Sequence, residues 1–422
     1  MATNLSRWWQ VLGPGLITGA SDDDPSGIAT YSQAGAAYGL ATLWTALITF
    51  PLMAAIQEIC ARIGLVTGHG LTGTLKKNYP TSVLYLMVVF SFPAIVMNIG
   101  ADIAGMGAVG NLLVPAIGAA YFSIFFTLAV LLLIIVLPYQ KIASILKYLC
   151  VVLLVYLIVP FLYKQDLLAV FKAIVMPTVQ FNKNFIGILV AILGTTISPY
   201  LFFWQASMEA EELQQKGQHL VVNKKLMHAM KQDVDIGMLF SNVVMFFIIL
   251  TTGTVLFNAG IHRIDTVEQA AQALRPLAGD SAYLLFALGI IGTGLLAIPV
   301  LSGSLAYIVT ETFGWTEGLD KKFHEAKAFY LVIAASLLLG LSLNYLGISP
   351  IRALIYSAIL YGLTAPVLIA IILHIANNKK VMGEFTNGKL SNVLGFATLL
   401  LMTAAAGILV YLQLTEGWKG VA

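Results

Sequence analysis

The stretch Gly19–Thr30, GASDDDPSGIAT, places three consecutive aspartates inside an otherwise apolar segment of the chain. A charged side chain at bilayer depth is costly unless it is paired or lines a wet cavity, so acids in such a segment indicate a functional site. Pro25 removes a backbone donor and Gly27 removes side-chain constraint, and together they favour a break in the helix. Because a broken helix is tolerated in a membrane only where its freed backbone groups face protein or water, we expect an ion or solute site near the midplane.

The three aspartates do not share one expected role. Asp24, next to the proline, is expected to contact the bound ion or solute. Asp22 and Asp23 either share that role or only cap the second half of the broken helix, since aspartate is common at helix N-termini. The residues by themselves leave both possibilities open.

The composition indicates a membrane protein with many helical spans. Of the 422 residues, 59% are hydrophobic and only 10% are charged, whereas soluble domains carry about 25% charged residues. The net charge of +3 is small and spread along the chain, so no nucleic-acid partner is expected. Cys60 and Cys150 fall in apolar runs and are interpreted as packing residues. The sequence shows no phosphate-binding loop, metal-spaced histidine pair or nucleophile–base arrangement, so we expect neither an enzyme nor a resident cofactor.

Apolar runs of about 20 residues, the length needed to cross a bilayer, predict eleven spans. Roughly two thirds of the 23 Lys and Arg residues fall on the side that holds the N-terminus, and cytoplasmic loops carry such an excess. The N-terminus is therefore expected in the cytoplasm and the C-terminus outside, with the protein in the plasma membrane. The predicted spans are 10–36 (broken at 21–26), 40–66, 83–112, 118–138, 142–163, 184–210 (interrupted), 233–257, 282–311, 326–345, 349–376 and 391–413.

The sixth predicted span repeats the pattern of the first. Its centre, Gly194–Tyr200 (GTTISPY), again has small and polar residues followed by a proline, and it lies five spans after the first break. Two interrupted helices at corresponding positions of two five-span halves are typical of inverted-repeat transporters. We therefore predict one repeat over 1–163, a second over 184–376 and an additional span at 391–413. A simple proline kink in the sixth span is the alternative.

The ends of the half-helices offer ligands of two kinds. Carbonyls before the breaks, near Ala20 and at Thr195, carry the negative partial charge of a helix C-terminus. With the Asp24 carboxylate and the Ser198 hydroxyl they form an oxygen-only set that suits Mg²⁺, Ca²⁺ or Mn²⁺. The starts of the second half-helices could instead face a carboxylate on an organic substrate. Spacing alone does not choose between a metal ion and an organic solute.

Residues 13–30, GPGLITGASDDDPSGIAT, together with ARIGLVTG at 61–68, resemble the first two spans of the Nramp family of divalent-metal transporters. The resemblance extends over all eleven predicted spans in order and spacing, and it is most specific at the D-P-x-x-I-A-T core, Asp24–Thr30. It implies an all-α polytopic fold with an inverted five-plus-five repeat of the LeuT type, in which helices 1 and 6 are broken. It also implies uptake of Mn²⁺ or Fe²⁺ together with protons.

The chain departs from the family pattern at both breaks. The family's Asp-Pro-Gly-Asn becomes Asp24-Pro25-Ser26-Gly27, so the metal-binding asparagine is replaced by glycine. The sixth-span Met-Pro-His becomes Ser198-Pro199-Tyr200, which removes a soft thioether ligand and a histidine linked to proton movement. Tyr200 either gates the site or only packs.

Further departures concern the surroundings of the site. Gln205 stands where the family has its next histidine, and Ala358 replaces a ligand-orienting glutamine. The third span keeps the aspartate, Asp102, but has Gly105 in place of the glutamate that follows. Asp102, with Asn98 one turn earlier, either lines a water or proton path or only hydrogen-bonds a neighbouring helix.

The remaining oxygen ligands leave room for waters around the ion, as Mg²⁺ requires, and the lost histidines weaken the case for proton coupling. In these respects the sequence resembles a divergent Nramp-related branch that carries Mg²⁺ without clear proton coupling. We therefore predict a secondary transporter of Mg²⁺ or Mn²⁺ that works by alternating access; a monomer is compatible with the sequence.

Two alternatives stay open. The first is transport of a small carboxylate or zwitterion, for which Phe202, Phe203, Trp204 and Gln205 beside the second break would form a pocket. The aromatic rings could equally face lipid or pack between helices. The second is a membrane sensor that binds its ligand without transporting it.

Other charged residues have structural interpretations. Glu58 and Arg62 are spaced as an i, i+4 ion pair near the inner end of the second span. Glu209, Glu211 and Glu212 are expected to form a solvated helix end on the inner side. We expect a solvated inner loop at 211–232 and a short outer helix at 262–275.

Overall fold

The computed structural model describes residues 13–137, 141, 155–162, 166–215 and 222–416. Within these ranges every regular element is a helix and no strand occurs. The helices are α1 (Pro14–Asp22), α2 (Pro25–Tyr38), α3 (Trp44–Thr67), α4 (Leu71–Asn78), α5 (Thr81–Leu113), α6 (Ala119–Val136), α7 (Val155–Ile158), α8 (Leu167–Val175), α9 (Lys183–Thr196), α10 (Pro199–Gln215), α11 (Lys224–Val255), α12 (Val267–Ala271), α13 (Arg275–Ala278), α14 (Ala282–Phe313), α15 (Lys327–Leu343), α16 (Pro350–Asn377), α17 (Lys379–Met382) and α18 (Lys389–Glu416).

Nine segments in the described part of the chain are long and apolar enough to cross a membrane. They are α3, α5, α6, α9 with α10, α11, α14, α15, α16 and α18. The helices α1 and α2 follow one another end to end and correspond to the predicted first span. The predicted fifth span, 142–163, lies largely outside the described residues, as does Cys150, whereas Cys60 is buried in α3 as expected.

The inner loop predicted at 211–232 is wrong at both ends. The helix α10 continues to Gln215, and α11 begins at Lys224. Asn223 fixes the start of α11, because its side chain accepts a hydrogen bond from the backbone N–H of Leu226 at 2.9 Å. The two helices continue into polar residues beyond their apolar parts. Hydropathy marks only the apolar parts, and the prediction based on it therefore ends α10 too early and starts α11 too late.

Both predicted helix breaks are present. The helix α1 ends at Asp22 and α2 begins at Pro25, and the second interruption separates α9 from α10 at Ile197 and Ser198. Each second half-helix starts on a proline. A backbone N–H at the first helical position has no intrahelical acceptor, so proline, which has no N–H, loses no hydrogen bond there. The sixth span is thus interrupted, and the simple-kink alternative is wrong.

Glycines allow the broken first helix to pack closely against its neighbour. A methyl group added to Gly19 on α1 would meet the backbone of Gly237 on α11, and one added to Gly237 would meet the backbone of Gly15. Small residues permit such close helix contacts in membranes. Asp233 on α11 also caps α1, because its carboxylate accepts hydrogen bonds from the N–H groups of Gly13 (3.0 Å) and Gly15 (2.7 Å).

Two further predictions about charged segments are confirmed. Arg62 Nε lies 3.3 Å from Glu58 Oε1, and Arg62 also donates to Asn387 Oδ1 at 2.5 Å, so the pair ties α3 to the segment before α18. The segment predicted as a short helix, 262–275, contains α12 and the first residue of α13. The repeat boundaries and the orientation in the membrane remain predictions.

The contact between α1 and α11 predicts the effect of a single methyl group. Gly19→Ala should destabilise the fold by about 1–3 kcal/mol, because backbone atoms have to move to accept it. Gly407→Ala is the matched control, because Gly407 lies within α18 and an added methyl group would have no described atom within 4 Å. This substitution should stabilise the fold by up to about 1 kcal/mol through helix propensity. Thermal unfolding of both purified variants tests this, and equal melting temperatures would contradict it.

Candidate functional site

The two helix breaks lie side by side in the interior of the bundle. The hydroxyl of Ser198, in the second break, donates to the Thr195 carbonyl at 2.5 Å and lies 3.4 Å from Asp22 Oδ1, in the first. The Tyr200 hydroxyl donates to the carbonyl of Ser21 at 2.7 Å. The predicted meeting of the two breaks is therefore present.

Two oxygen atoms and an aromatic ring lie next to Gly27, which stands where the family carries its asparagine. A methyl group on Gly27 would lie 3.3 Å from Thr195 Oγ1, 3.3 Å from the ring of Tyr31 and 3.4 Å from the Asp22 carbonyl oxygen. Asp24, Thr195 and Ser198 are each exposed by 2% or less. The structure thus shows a conformation in which these groups are closed off from water.

Asp24 is held firmly at the start of α2. Its Oδ1 accepts a hydrogen bond from the backbone N–H of Gly27 at 2.7 Å, and its Oδ2 accepts one from Asn98 Nδ2 at 2.8 Å. The helix N-terminus also favours its negative charge. Since each carboxylate oxygen has a second lone pair, Asp24 is oriented by its partners and still able to bind a cation.

A chain of side chains fixes Asn98 in turn. The Ser357 hydroxyl on α16 lies 2.8 Å from Asn98 Oδ1 and 3.2 Å from the Ser26 hydroxyl, which donates to the Leu354 carbonyl at 2.9 Å. This arrangement turns the amide N–H₂ of Asn98 toward Asp24. Sequence reasoning missed Ser357, the neighbour of the Ala358 that it did examine, because a single serine in an apolar span carries no distinctive signal.

Asp22 and Asp23 do not cap α2, so the capping interpretation is wrong for both. Asp24 occupies the N-cap position, because the residue before a proline favours extended backbone and Pro25 starts the helix. Asp22 is the last residue of α1 and accepts a 2.6 Å hydrogen bond from the Ser241 hydroxyl on α11. Ser241 is a second contact residue that the sequence did not indicate.

Asp102 on α5 is fully buried, and within the described part of the chain neither of its carboxylate oxygens has a hydrogen bond of regular geometry. Both interpretations of Asp102, a water or proton path and a contact with a neighbouring helix, stay predictions. Its surroundings include the carboxylate of Asp24 and the backbone of Ser26. Gly105, one turn on, packs against Leu354 and Pro25.

The aromatic residues after the second break pack between helices. Phe202, Phe203 and Trp204 are exposed by 1% or less, so the lipid-facing alternative is wrong. The ring of Tyr200 stacks on that of Tyr361, with centroids 5.8 Å apart. These side chains therefore pack inside the bundle.

Gln205 and Ala20 lie away from the closest contacts of the two breaks. Gln205 Oε1 accepts a hydrogen bond from Thr18 on α1 at 2.5 Å, and its Nε2 donates to Glu209 at 3.0 Å, so this side chain links α1 to α10. Ala20 is half-buried on α1, and the carbonyl that contacts Tyr200 belongs to its neighbour, Ser21.

An acidic cavity of about 230 Å³ lies near the ends of α10 and α14. The solvated-end interpretation is wrong for Glu209, which is 4% exposed, and for Glu211, which accepts hydrogen bonds from the Tyr307 hydroxyl and from the Asp320 N–H. Burial, and then the charge of Glu311, raises the pKa of Glu317, in the loop after α14, to about 8. The cavity lining includes Ser207, Glu211, Tyr307, Glu311, Glu317 and Asp320.

The raised pKa of Glu317 predicts a pH-dependent stability. The pKa of Glu317 is about 8 in the folded protein, whereas its ordinary value is 4.5. The contribution of this group to stability is therefore fully present below pH 4.5 and is lost as the pH rises through the folded-state pKa of about 8. Glu317→Gln should therefore raise the melting temperature more at pH 8 than at pH 5. An equal effect at the two pH values would show that Glu317 titrates normally.

The described residues contain no group of three or more His, Cys, Asp or Glu side chains arranged to hold a metal ion. None of the ion pairs in the described part of the chain involves Asp22, Asp23, Asp24 or Asp102. A cation at the breaks would therefore be bound by few protein carboxylates, and no basic side chain in an ion pair with them would compete for these carboxylates.

Comparison with known proteins agrees with this architecture. The divalent metal cation transporter MntH of Klebsiella pneumoniae subsp. pneumoniae is 26% identical over 412 residues, which cover 95% of this chain and 93% of that protein. MntH of Caldanaerobacter subterraneus subsp. tengcongensis is 24% identical over 421 residues, covering 98% and 96%. A crystal structure of the Eremococcus coleocola manganese transporter, in complex with an aromatic bis-isothiourea compound, matches with a TM-score of 0.74 at 16% identity, covering 100% of this chain and 91% of that one.

A more distant structure has the same fold: Mhp1, a nucleobase-cation-symport-1 family transporter, matches with a TM-score of 0.53 at 12% identity over 96% of this chain and 93% of that one. The predicted fold class is thus confirmed, and the chain is a multi-pass membrane transporter rather than an enzyme. The family model described as natural resistance-associated macrophage protein-like matches residues 15–412. The chain therefore belongs to the Nramp family.

Proposed function

We propose that this chain is a secondary transporter that carries a divalent metal cation by alternating access, with Mg²⁺ and Mn²⁺ as the favoured substrates. The observation that carries the proposal is the Asp24 carboxylate, fixed by Gly27 and Asn98 at the point where two interrupted helices meet. The names of the MntH relatives support the same class of substrate. We place the protein in the plasma membrane with its N-terminus in the cytoplasm.

The available ligands favour a hard and partly hydrated ion. The polar atoms near Gly27 and Ser198 include oxygens of Thr195 and Asp22, and Asp24 accepts the N–H of Gly27. Hard cations prefer such ligands, and Mg²⁺ usually keeps several waters. The thioether sulfur of Met245 accepts hydrogen bonds from the hydroxyls of Thr196 at 3.7 Å and Thr49 at 4.0 Å. We therefore do not count this sulfur among the ligands of the ion.

The organic-solute alternative has less support from the geometry. A substrate carboxylate would need free N–H groups at the start of α2, and Asp24 already accepts the Gly27 N–H there. The aromatic side chains that would form its pocket are buried against protein. We therefore assign the oxygen-lined space at the breaks to a metal ion.

Transport requires that the closed site open to each side in turn. The contacts that hold α1 include the Asp233 cap from α11, the Thr18–Gln205 bond, the Tyr200–Ser21 bond and the Ser241–Asp22 bond. Each must break or shift if α1 moves to admit water. Tyr200 is the proposed gating residue, because its hydroxyl joins one break to the other.

Replacing the central carboxylate tests the proposal. Asp24→Asn keeps the shape but removes the charge, and Mg²⁺ or Mn²⁺ uptake into proteoliposomes should fall at least about tenfold, because loss of even a side chain that only orients a metal ligand costs about 10–100-fold. The matched control is Asp265→Asn, because Asp265 lies on the surface beside Arg263 and Arg352 and should leave uptake unchanged. Full uptake by a folded Asp24→Asn variant would reject the assignment.

The space beside Gly27 gives an independent test. Gly27→Ala puts a methyl group within 3.3–3.4 Å of Thr195 Oγ1 and the Asp22 carbonyl, which is tight but tolerable for folding. Uptake should fall about tenfold while the melting temperature stays within a few degrees, because alanine also favours the helix. Gly407→Ala serves as the control. Wild-type transport by Gly27→Ala would show that the ion does not use this space.

A further inference from the structure

The acidic side chains at the first break face different helices. Asp24 contacts Asn98 on α5 and, through it, Ser357 on α16. Asp22 and Asp23 instead face Ser241 on α11, at 2.6 and 3.4 Å. The break therefore presents two separate sets of carboxylate oxygens.

The set that faces α11 has fewer hydrogen-bond donors than it needs. A serine hydroxyl carries one proton, and that of Ser241 goes to the nearer acceptor, Asp22 Oδ2. The Ser198 hydroxyl is 2.5 Å from the Thr195 carbonyl and 3.4 Å from Asp22 Oδ1, so its proton is also used elsewhere. Asp23 is fully buried, and its Oδ2 has no hydrogen-bond partner among the residues that the structure describes.

These carboxylates also lack a counter-charge. No ion pair in the described part of the chain involves Asp22 or Asp23, and an unpaired buried charge costs several kcal/mol. The C-terminal end of α1, where Asp22 lies, adds negative partial charge. Interrupted half-helices in transporters bind cations at such ends.

We propose that Asp22, Asp23 and Ser241 form a second cation subsite, separate from Asp24, that binds a hard divalent cation. Two carboxylates carry two negative charges, which a divalent ion balances and a monovalent ion does not. Their oxygens and the Ser241 hydroxyl supply part of an oxygen shell, and waters complete it as they usually do for Mg²⁺. The inference rests on the proposed function in that both subsites take ions of the transported class.

The stoichiometry of ion binding tests the second subsite. Full-length purified protein titrated with Mn²⁺, with free Mn²⁺ followed by its electron paramagnetic resonance signal, should bind two ions per chain. Asp23→Asn and Ser241→Ala should each bind one ion tightly, and Asp265→Asn should still bind two. One ion per chain for the wild type, or two for folded Asp23→Asn and Ser241→Ala variants, would overturn the inference.

A stability measurement separates a metal site from a merely structural role. Without metal, Asp23→Asn should raise the melting temperature, because it removes an unpaired buried charge. With Mn²⁺ it should gain less stability than the wild type, since binding to the folded state stabilises by mass action. A lower melting temperature without metal, with an undiminished gain from Mn²⁺, would contradict the subsite.

The proposed function fails under a different result. If Asp24→Asn transports normally, the transport assignment is wrong whatever the number of bound ions. If Asp24→Asn loses uptake and one ion while Asp23→Asn still binds two, transport stands and the second subsite is rejected.

Discussion

The burial of four carboxyl groups, with no basic partner in the described part of the chain, is the constraint on which this structure depends. Asp22, Asp23, Asp24 and Asp102 are exposed by 1% or less, in a segment where charge is tolerated only with partners or water. The interrupted backbone supplies part of the answer, since the start of α2 gives Asp24 an N–H donor and a favourable dipole. Asn98 on α5, Ser241 on α11 and Ser198 between α9 and α10 supply more, and the donors still fall short. In the proposed function, a cation completes the balance.

The same constraint connects local chemistry to movement. The broken helix is held by bonds from α10 and α11 to α1, and α1 packs on α11 through glycines. Such contacts keep the site closed. In the proposed function, an ion that neutralises the carboxylates lowers the electrostatic cost of the closed state. Binding and closure would thereby be coupled, as alternating access requires.

The fold was largely predictable from the sequence, because apolar runs and prolines act locally. The two breaks followed from Pro25 and Pro199, and the approach of Thr195 and Ser198 to the first break followed from the repeat pattern. Ser241 and Ser357 were missed because serines in apolar helices often bond their own chain, and only the tertiary structure shows that Ser241 contacts an acid and that Ser357 contacts Asn98. The buried state of Glu211 was missed for the same reason, because its donors come from α14 and from the loop after α14.

The central claim is that a metal ion binds where the two interrupted helices meet. The most direct measurement is a crystal structure of the protein soaked in Mn²⁺, with anomalous diffraction used to locate the ion. Our account predicts an anomalous peak within coordination distance of the Asp24 carboxylate and on the side of Thr195. A fully occupied Mn²⁺ peak elsewhere in the molecule, with no density beside Asp24, would contradict it.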